Sequence, residues 1–223
     1  MLREVDIDEI SDGKRYKSQD MVKLCATECD GCSSCCHGMG DSIILDPYDI
    51  YKLQAGTGKV FSELLDDDIM LNVVDGLIQP NIRMQETTSA CGFLNNEGRC
   101  KIHQFRPGFC RLFPLGRIYE GDGFSYFLQI KECNYPVKSK VKIKKWLGID
   151  NLSSYEKYIL EHHNLCKKIE AKGVSKENDD LMKRVNMLYL NTFFVTPYDV
   201  TRDFYEQYYE RNTLIKKELG DAE

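Results

Sequence analysis

The stretch CDGCSSCCHG, residues 29–38, places four cysteines within eight positions, and the last two of them are adjacent. Cys29, Cys32 and Cys35 are joined by two C-x-x-C steps. Such a step lets two thiolates converge on one metal while the backbone between them turns. Because Met39 stands where a ferredoxin-type motif has its fourth cysteine, a further ligand is expected from elsewhere in the chain.

The adjacent pair Cys35 and Cys36 bears on the number of metal centres. In an extended backbone, successive side chains point to opposite sides. The pair therefore predicts either two separate centres or one ligand beside a cysteine that is not a ligand. Eight grouped cysteines match two four-thiolate sites by count.

A second group of cysteines follows in the stretch CGFLNNEGRCKIHQFRPGFCRLFPLG, residues 91–116. The residues NNEGR predict a turn that brings Cys91 and Cys100 together. Pro107 predicts the start of a short helix that carries Cys110. The predicted metal ligands are Cys29, Cys32, Cys35, Cys36, Cys91, Cys100, Cys110 and Cys133, with Arg106 and Arg111 as cations that balance the thiolate charge.

These stretches together resemble the YkgJ-type cysteine-cluster family, described as zinc- or iron-chelating. The family pattern is CxxCxxCC, then CxxL and CxIYxxRPxxCRxFP, then a further cysteine. This chain follows the pattern from about residue 25 to residue 135, with His103 in place of the usual Tyr and Asn134-Tyr135 after the last cysteine. Flagellin lysine-N-methylases share the cysteine domain, so the resemblance implies an iron–sulfur cluster.

The metal and its use leave several alternatives open. The thiolate count, the ferredoxin-like spacing and the resemblance to the methylases favour one or two [4Fe–4S] clusters with a redox or protein-modifying role. Zn²⁺ remains an alternative, because Cys₄ zinc sites use the same spacing. A zinc site would give a structural domain that binds a partner. A lysine methylase-like enzyme is a third alternative, but no general base, nucleophile or nucleotide loop identifies catalytic residues.

The composition of the chain indicates where the protein is located and which classes of partner it binds. The chain has 223 residues, 42% of them hydrophobic, and a net charge of −5, which argues against a broad nucleic-acid surface. Its charged first residues predict no signal peptide, and no apolar run is long enough to span a membrane. We therefore expect a cytoplasmic protein with a protein substrate or redox partner, no nucleic acid and no membrane contact. In a reducing cytoplasm, clustered cysteines bind metal more often than they form disulfides.

The fold is predicted to be α+β. Residues 1–24 are predicted as a polar lead-in that is extended or loosely packed. Residues 25–137 are predicted as the cysteine-cluster domain, and residues 138–223 as an all-helical region packed on it. Hairpins are predicted at Asp75-Gly76 and at Gly121-Asp122-Gly123. Asp46-Pro47 and Thr196-Pro197 each predict the start of a helix.

Three further patterns have a chemical and a structural interpretation. Cys25, Cys29 and Cys32 have the spacing of the radical S-adenosylmethionine triad, but the repeated βα units of that fold are not indicated. His162 and Cys166 share a helix face and could bind a metal, although a packed face is favoured. The run KSKVKIKK, residues 138–145, suggests an anionic partner or a solvated edge, and the solvated edge is favoured. Cys25 and Cys166 are not predicted as ligands.

Overall fold

The computed structural model describes residues 6–25, 32–133, 138–173 and 179–220. The chain divides into two compact units, each built from separate segments. Unit one comprises residues 1–39, 84–101 and 109–160, and unit two comprises residues 40–83, 102–108 and 161–223. The predicted domain boundaries after residues 24 and 137 stay predictions.

Helices and short antiparallel strand pairs confirm the predicted α+β class. The pairs are β1–β6, β2–β3 and β4–β5. Within the described residues, no helix has the length and apolar character needed to cross a membrane. The strands are β1 (Met21–Cys25), β2 (Ile69–Val74), β3 (Leu77–Ile82), β4 (Leu115–Glu120), β5 (Gly123–Leu128) and β6 (Lys138–Lys142). The helices are α1 (Ile7–Ile10), α2 (Pro47–Thr57), α3 (Phe61–Asp67), α4 (Gly108–Leu112), α5 (Ile143–Leu147), α6 (Leu152–Gly173), α7 (Asp179–Leu190) and α8 (Phe204–Glu218).

The core of unit one lies under the ribbon formed by β1 and β6. Val22 and Leu24 are 2% and 1% exposed, because alternate residues of a strand face the same side. Within the predicted lead-in, residues 21–24 are therefore extended, paired with β6 and packed. The strand β6 corrects the expectation that the chain is all-helical from residue 138. Other core residues are Leu112, Leu115, Tyr126, Ile143, Trp146 and Leu147.

Both predicted hairpin turns are confirmed. Asp75 and Gly76 join β2 to β3 with φ values of 50° and 79°, the positive values that a type I′ turn requires. Gly121 and Asp122 join β4 to β5, and Gly121 has a φ of 57°. The sequence signal is strong at these positions because glycine and aspartate tolerate positive φ better than other residues.

The start of α2 in unit two is confirmed at Asp46-Pro47. The backbone N–H of Asp49 donates to Oδ1 of Asp46 at 2.9 Å, and the N–H of Asp46 donates to Oδ2 of Asp49 at 3.1 Å. This reciprocal capping box satisfies backbone donors that the first helical turn leaves unpaired.

The start of α8, by contrast, was predicted wrongly. The helix begins at Phe204, where the N–H of Glu206 donates to Oδ1 of Asp203 at 3.0 Å, and not at Pro197. The guanidinium of Arg211 donates to the carbonyls of Thr196 and Pro197 at 2.9 and 2.8 Å. These tertiary hydrogen bonds hold the segment before α8 in a non-helical conformation and override the local Thr-Pro signal.

Candidate metal centre

The cysteine-rich loop is described from Cys32 onward, whereas Cys29 lies outside the described residues. Residues Ser34–Cys36 form one turn of 3₁₀ helix, in which the N–H of Cys36 donates to the carbonyl of Ser33 at 2.8 Å. Sγ of Cys32 lies 3.5 Å from Oγ of Ser34. The loop is therefore a compact turn.

This turn changes how the adjacent cysteines are interpreted. A 3₁₀ helix has three residues per turn, so neighbouring side chains diverge by roughly 120° and not by the 180° of a strand. The thiols of Cys35 and Cys36 are hydrogen-bonded to each other. The premise that the pair points to opposite sides was wrong, and adjacency alone gives no reason to assign these two residues to different centres.

Backbone pairing joins the loop to the segment that carries Cys91. The N–H of Cys91 donates to the carbonyl of Cys36 at 2.7 Å, and the N–H of Gly38 donates to the carbonyl of Ser89 at 2.8 Å. Gly38 and Ser89 both have positive φ, 68° and 53°. Cys91 is 9% exposed. The two stretches that the sequence motifs single out thus meet at Cys36 and Cys91.

The predicted turn between Cys91 and Cys100 is confirmed. Oδ1 of Asn95 accepts the N–H groups of Glu97 and Arg99 at 3.1 and 2.8 Å, which closes the turn. Leu94 and Cys100 form a β-bridge on either side of it. A Cβ placed on Gly98 would lie 3.6 Å from Oγ of Ser33, so this turn lies next to the cysteine-rich loop.

Cys110 lies on α4, which begins one residue after Pro107, close to its predicted start. In unit two, the buried carboxylate of Asp49 accepts the N–H of Gly108, the first residue of α4, at 2.7 Å. A Cβ on Gly56 of α2 would lie 2.4 Å from the ring of Phe105, so α2 also packs closely against the segment before α4. Asp49 is a positioning residue that sequence reasoning missed, since its partner lies 59 positions away.

The thiols of Cys35, Cys91 and Cys110 all raise the pKa of the Cys36 thiol, and the four residues are here called the cysteine quartet. The pKa of the Cys36 thiol is raised far above its usual value, first by the hydrogen bond with Cys35 and then by burial and the charges of Cys35, Cys110 and Cys91. These groups therefore lie within electrostatic range of Cys36. A cation bound among them would offset the repulsion between their thiolates.

Three other predicted ligands, Cys32, Cys100 and Cys133, belong to unit one and are partly buried. Neither they nor the members of the quartet form a disulfide within the described residues. Within the described residues, no three His, Cys, Asp or Glu side chains are grouped closely enough to hold a metal ion. In donor chemistry the quartet still fits iron–sulfur clusters and zinc, because both take four thiolates.

The two predicted cations have other contacts. Arg106 follows the 3₁₀ helix His103–Phe105 and precedes α4, so it does not share a helix face with Cys110. Its guanidinium contacts His103, and its buried Nε has no hydrogen-bond partner within the described residues. Nη1 of Arg111 donates to the carbonyl of Leu147 at 3.1 Å. A role of either residue beside a metal stays a prediction.

The pair His162 and Cys166 lies in unit two and is packed. Nδ1 and Nε2 of His162 lie 3.2 Å from the hydroxyl of Tyr208 and 3.1 Å from that of Tyr189. Sγ of Cys166 lies 3.8 Å from Nε2 of His162. Burial lowers the pKa of His162 to about 3 and raises that of Cys166 to about 11. These contacts favour the packed-face interpretation of the pair.

The comparison with protein families agrees with the motifs. Residues 28–135 match the family model CxxCxxCC, whose description is "Putative zinc- or iron-chelating domain". No curated protein and no solved structure matches the chain significantly. Over residues 28–135 the match spans all eight grouped cysteines and confirms the resemblance to the cysteine-cluster family.

Proposed function

Because residues 28–135 form a CxxCxxCC domain, a cysteine-rich zinc- or iron-chelating module, we propose that the chain holds an iron–sulfur centre of the [4Fe–4S] type with a redox role. The cysteine quartet would supply the four ligands of this centre. Cys29, Cys32, Cys100 and Cys133 would supply a second one, since eight grouped thiols suffice for two such sites.

The observation that supports this proposal most is the electrostatic effect of Cys35, Cys91 and Cys110 on the Cys36 thiol. These cysteines come from three segments: residues 34–36, residue 91 and helix α4. Deprotonating all four thiols would be costly unless a cation accompanied them. A four-thiolate metal site would supply that cation.

The residues around the quartet would have different roles at the metal centre. When bound, the cluster would exchange one electron at a time. The N–H of Cys91 holds the cysteine-rich loop in place through the carbonyl of Cys36, and burial of Cys91 limits contact with water. Asp49 fixes the start of α4 and so places Cys110. Arg106 and Arg111 would offset the negative charge of the thiolates.

Zinc is a second candidate, and a specific observation favours it. The hydrogen-bonded thiols of Cys35 and Cys36 are close neighbours. In a tetrahedral Cys₄ zinc site, Zn–S bonds of about 2.3 Å place neighbouring sulfurs ~3.8 Å apart. A zinc ion in the quartet would fasten the cysteine-rich loop to Cys91 and α4, which is a structural role.

Purification without oxygen, followed by iron, zinc and acid-labile sulfide analysis and a visible absorption spectrum, tests the proposal. We expect a brown protein with iron and sulfide in similar amounts. A colourless protein that contains zinc and no sulfide would replace the iron–sulfur proposal with the zinc candidate. A protein with neither metal would contradict both.

A further inference from the structure

The ribbon formed by β1 and β6 in unit one has two different faces. Val22 pairs with Val141, and both belong to the core or pack against it. Lys23 pairs with Lys140, and Met21 pairs with Lys142, on the opposite face. This second face is exposed, and Met21 is 48% exposed.

The exposed charge continues from β6 into α5. The N–H groups of Ile143 and Lys144 donate to the carbonyls of Asp20 and Ser18 at 3.1 and 2.8 Å, so α5 begins beside the start of β1. Lys144 and Lys145 are exposed, while Ile143 is buried. The resulting surface, here called the lysine face, comprises Lys23, Lys138, Lys140, Lys142, Lys144 and Lys145.

Within the described part of the chain, no carboxylate lies within ion-pairing distance of the lysine face. None of its six ammonium groups takes part in an ion pair there, whereas Lys59, Lys167 and Lys183 each pair with a carboxylate. Lys23 and Lys140 stand directly opposite each other across the ribbon, an arrangement that destabilises a strand pair. Because the whole chain has a net charge of −5, this concentration of positive charge is local.

An open groove of about 1090 Å³ runs along this surface. Lys140, Lys142, Lys144 and Lys145 line it together with apolar residues that include Ile149. It also contains the carboxylates of Asp150 and Glu156, and Glu156 already accepts the hydroxyl of Tyr126 at 2.9 Å. The lining of the groove thus combines apolar side chains, four lysines and two carboxylates.

We propose that the lysine face and its groove dock an extended, acidic segment of a partner protein. Lys138, Lys140 and Lys142 occupy alternate positions of one strand, so they recur about every 6.7 Å. Acidic residues at alternate positions of an extended peptide recur at the same interval. The partner carboxylates would form ion pairs with these lysines, and the groove would take the apolar side chains between them.

A protein segment fits this surface better than a nucleic acid. Single-stranded nucleic acids stack their bases on aromatic side chains, and the outward residues of β1 and β6 include none. The proposal does not depend on the metal of the cysteine quartet.

Fluorescence anisotropy at low salt tests the proposal with a labelled peptide in which glutamate alternates with valine. A second peptide with glutamine in place of glutamate is the control ligand, and a labelled oligothymidine is the nucleic-acid probe. The test variant is Lys140→Gln with Lys142→Gln. The control variant is Lys216→Gln with Lys217→Gln, which removes the same charge from exposed positions of α8.

We expect the unmodified protein to bind the glutamate peptide and not the glutamine peptide. Loss of Lys140 and Lys142 should weaken this binding about fivefold to tenfold, whereas the control variant should bind as the unmodified protein does. Equal weakening by both variants would show that the effect depends on the net charge of the protein and not on the lysine face, and it would overturn the proposal. So would equal binding of the two peptides, no binding, or preferential binding of oligothymidine.

Discussion

Acidification is predicted to destabilise unit two through a single buried histidine. His162 is 7% exposed, and both of its ring nitrogens are within hydrogen-bond range of tyrosine hydroxyls. Its pKa is lowered to about 3 by burial first and by the charge of His163 second. Cys166 has a raised pKa of about 11, and those of Tyr189 and Tyr208 are raised as well, so these three neighbours stay neutral.

The size of this destabilisation follows from the difference between the pKa of His162 in the folded chain and its pKa in the unfolded chain. Because the folded value of about 3 lies below the usual 6.5, the unfolded chain binds the proton more readily. This contribution to stability is complete above pH 6.5 and is lost as the pH falls from 6.5 towards 3. At pH 5 the loss amounts to about 2 kcal/mol, the free energy of protonating the unfolded histidine.

Urea unfolding followed by circular dichroism at pH 7.5 and pH 5 measures this loss. The variant His162→Gln keeps hydrogen-bonding atoms near the tyrosines and removes the titrating group. Between pH 7.5 and pH 5, we expect the free energy of unfolding of this variant to fall by about 2 kcal/mol less than that of the unmodified protein. The control is His163, the half-buried neighbour. His163→Gln should still show most of the decrease in the free energy of unfolding that the unmodified protein shows on acidification. Equal pH dependence in the unmodified protein and His162→Gln would refute the reasoning.

Two further predictions concern the surroundings of the cysteine quartet. Arg106→Gln and Arg111→Gln should lower the reduction potential of the bound cluster by about 10–40 mV, the one-electron equivalent of ~0.2–1 kcal/mol, and voltammetry showing unchanged potentials would assign these arginines to other roles. Asp49→Ala should lower metal retention after dialysis against a chelator, because it frees the N–H of Gly108 as well as breaking the capping box. Asp46→Ala, which removes the acceptor of the Asp49 N–H at a cost of about 1 kcal/mol and leaves the carboxylate of Asp49 in place, is the matched control. Equal retention by both variants would argue against this role for Asp49.

Local signals allowed much of the secondary structure to be predicted from the sequence. Asp46-Pro47, Asp75-Gly76 and Asn95 act on backbone groups within a few positions, so their effect is visible in the sequence itself. The start of α8 was predicted wrongly because Arg211, located further along the chain, holds Thr196 and Pro197 outside the helix. No local pattern reports such a contact.

The residues of the candidate metal centre could be predicted from the sequence, but their spatial arrangement could be predicted only in part. The spacing of the cysteines and the family resemblance identify the segment, which the family model confirms. The relation between Cys35 and Cys36 depends on the 3₁₀ turn, and the position of Arg106 depends on where α4 begins. The bond between Asp49 and Gly108 crosses 59 positions, so only the folded chain reveals it.

The central claim is that the cysteine quartet binds the metal centre and that Cys166 does not. Iron and acid-labile sulfide per chain, measured after anaerobic purification of Cys36→Ser, Cys110→Ser and Cys166→Ser, tests it most directly. Serine replaces a thiolate with a hydroxyl that is a poor ligand for iron, so Cys36→Ser and Cys110→Ser should lose the iron and sulfide of the quartet's cluster, about half of the total where both clusters are bound. Cys166→Ser should keep the content of the unmodified protein. Unchanged iron in Cys36→Ser and Cys110→Ser, or an equal loss in all three variants, would contradict the claim.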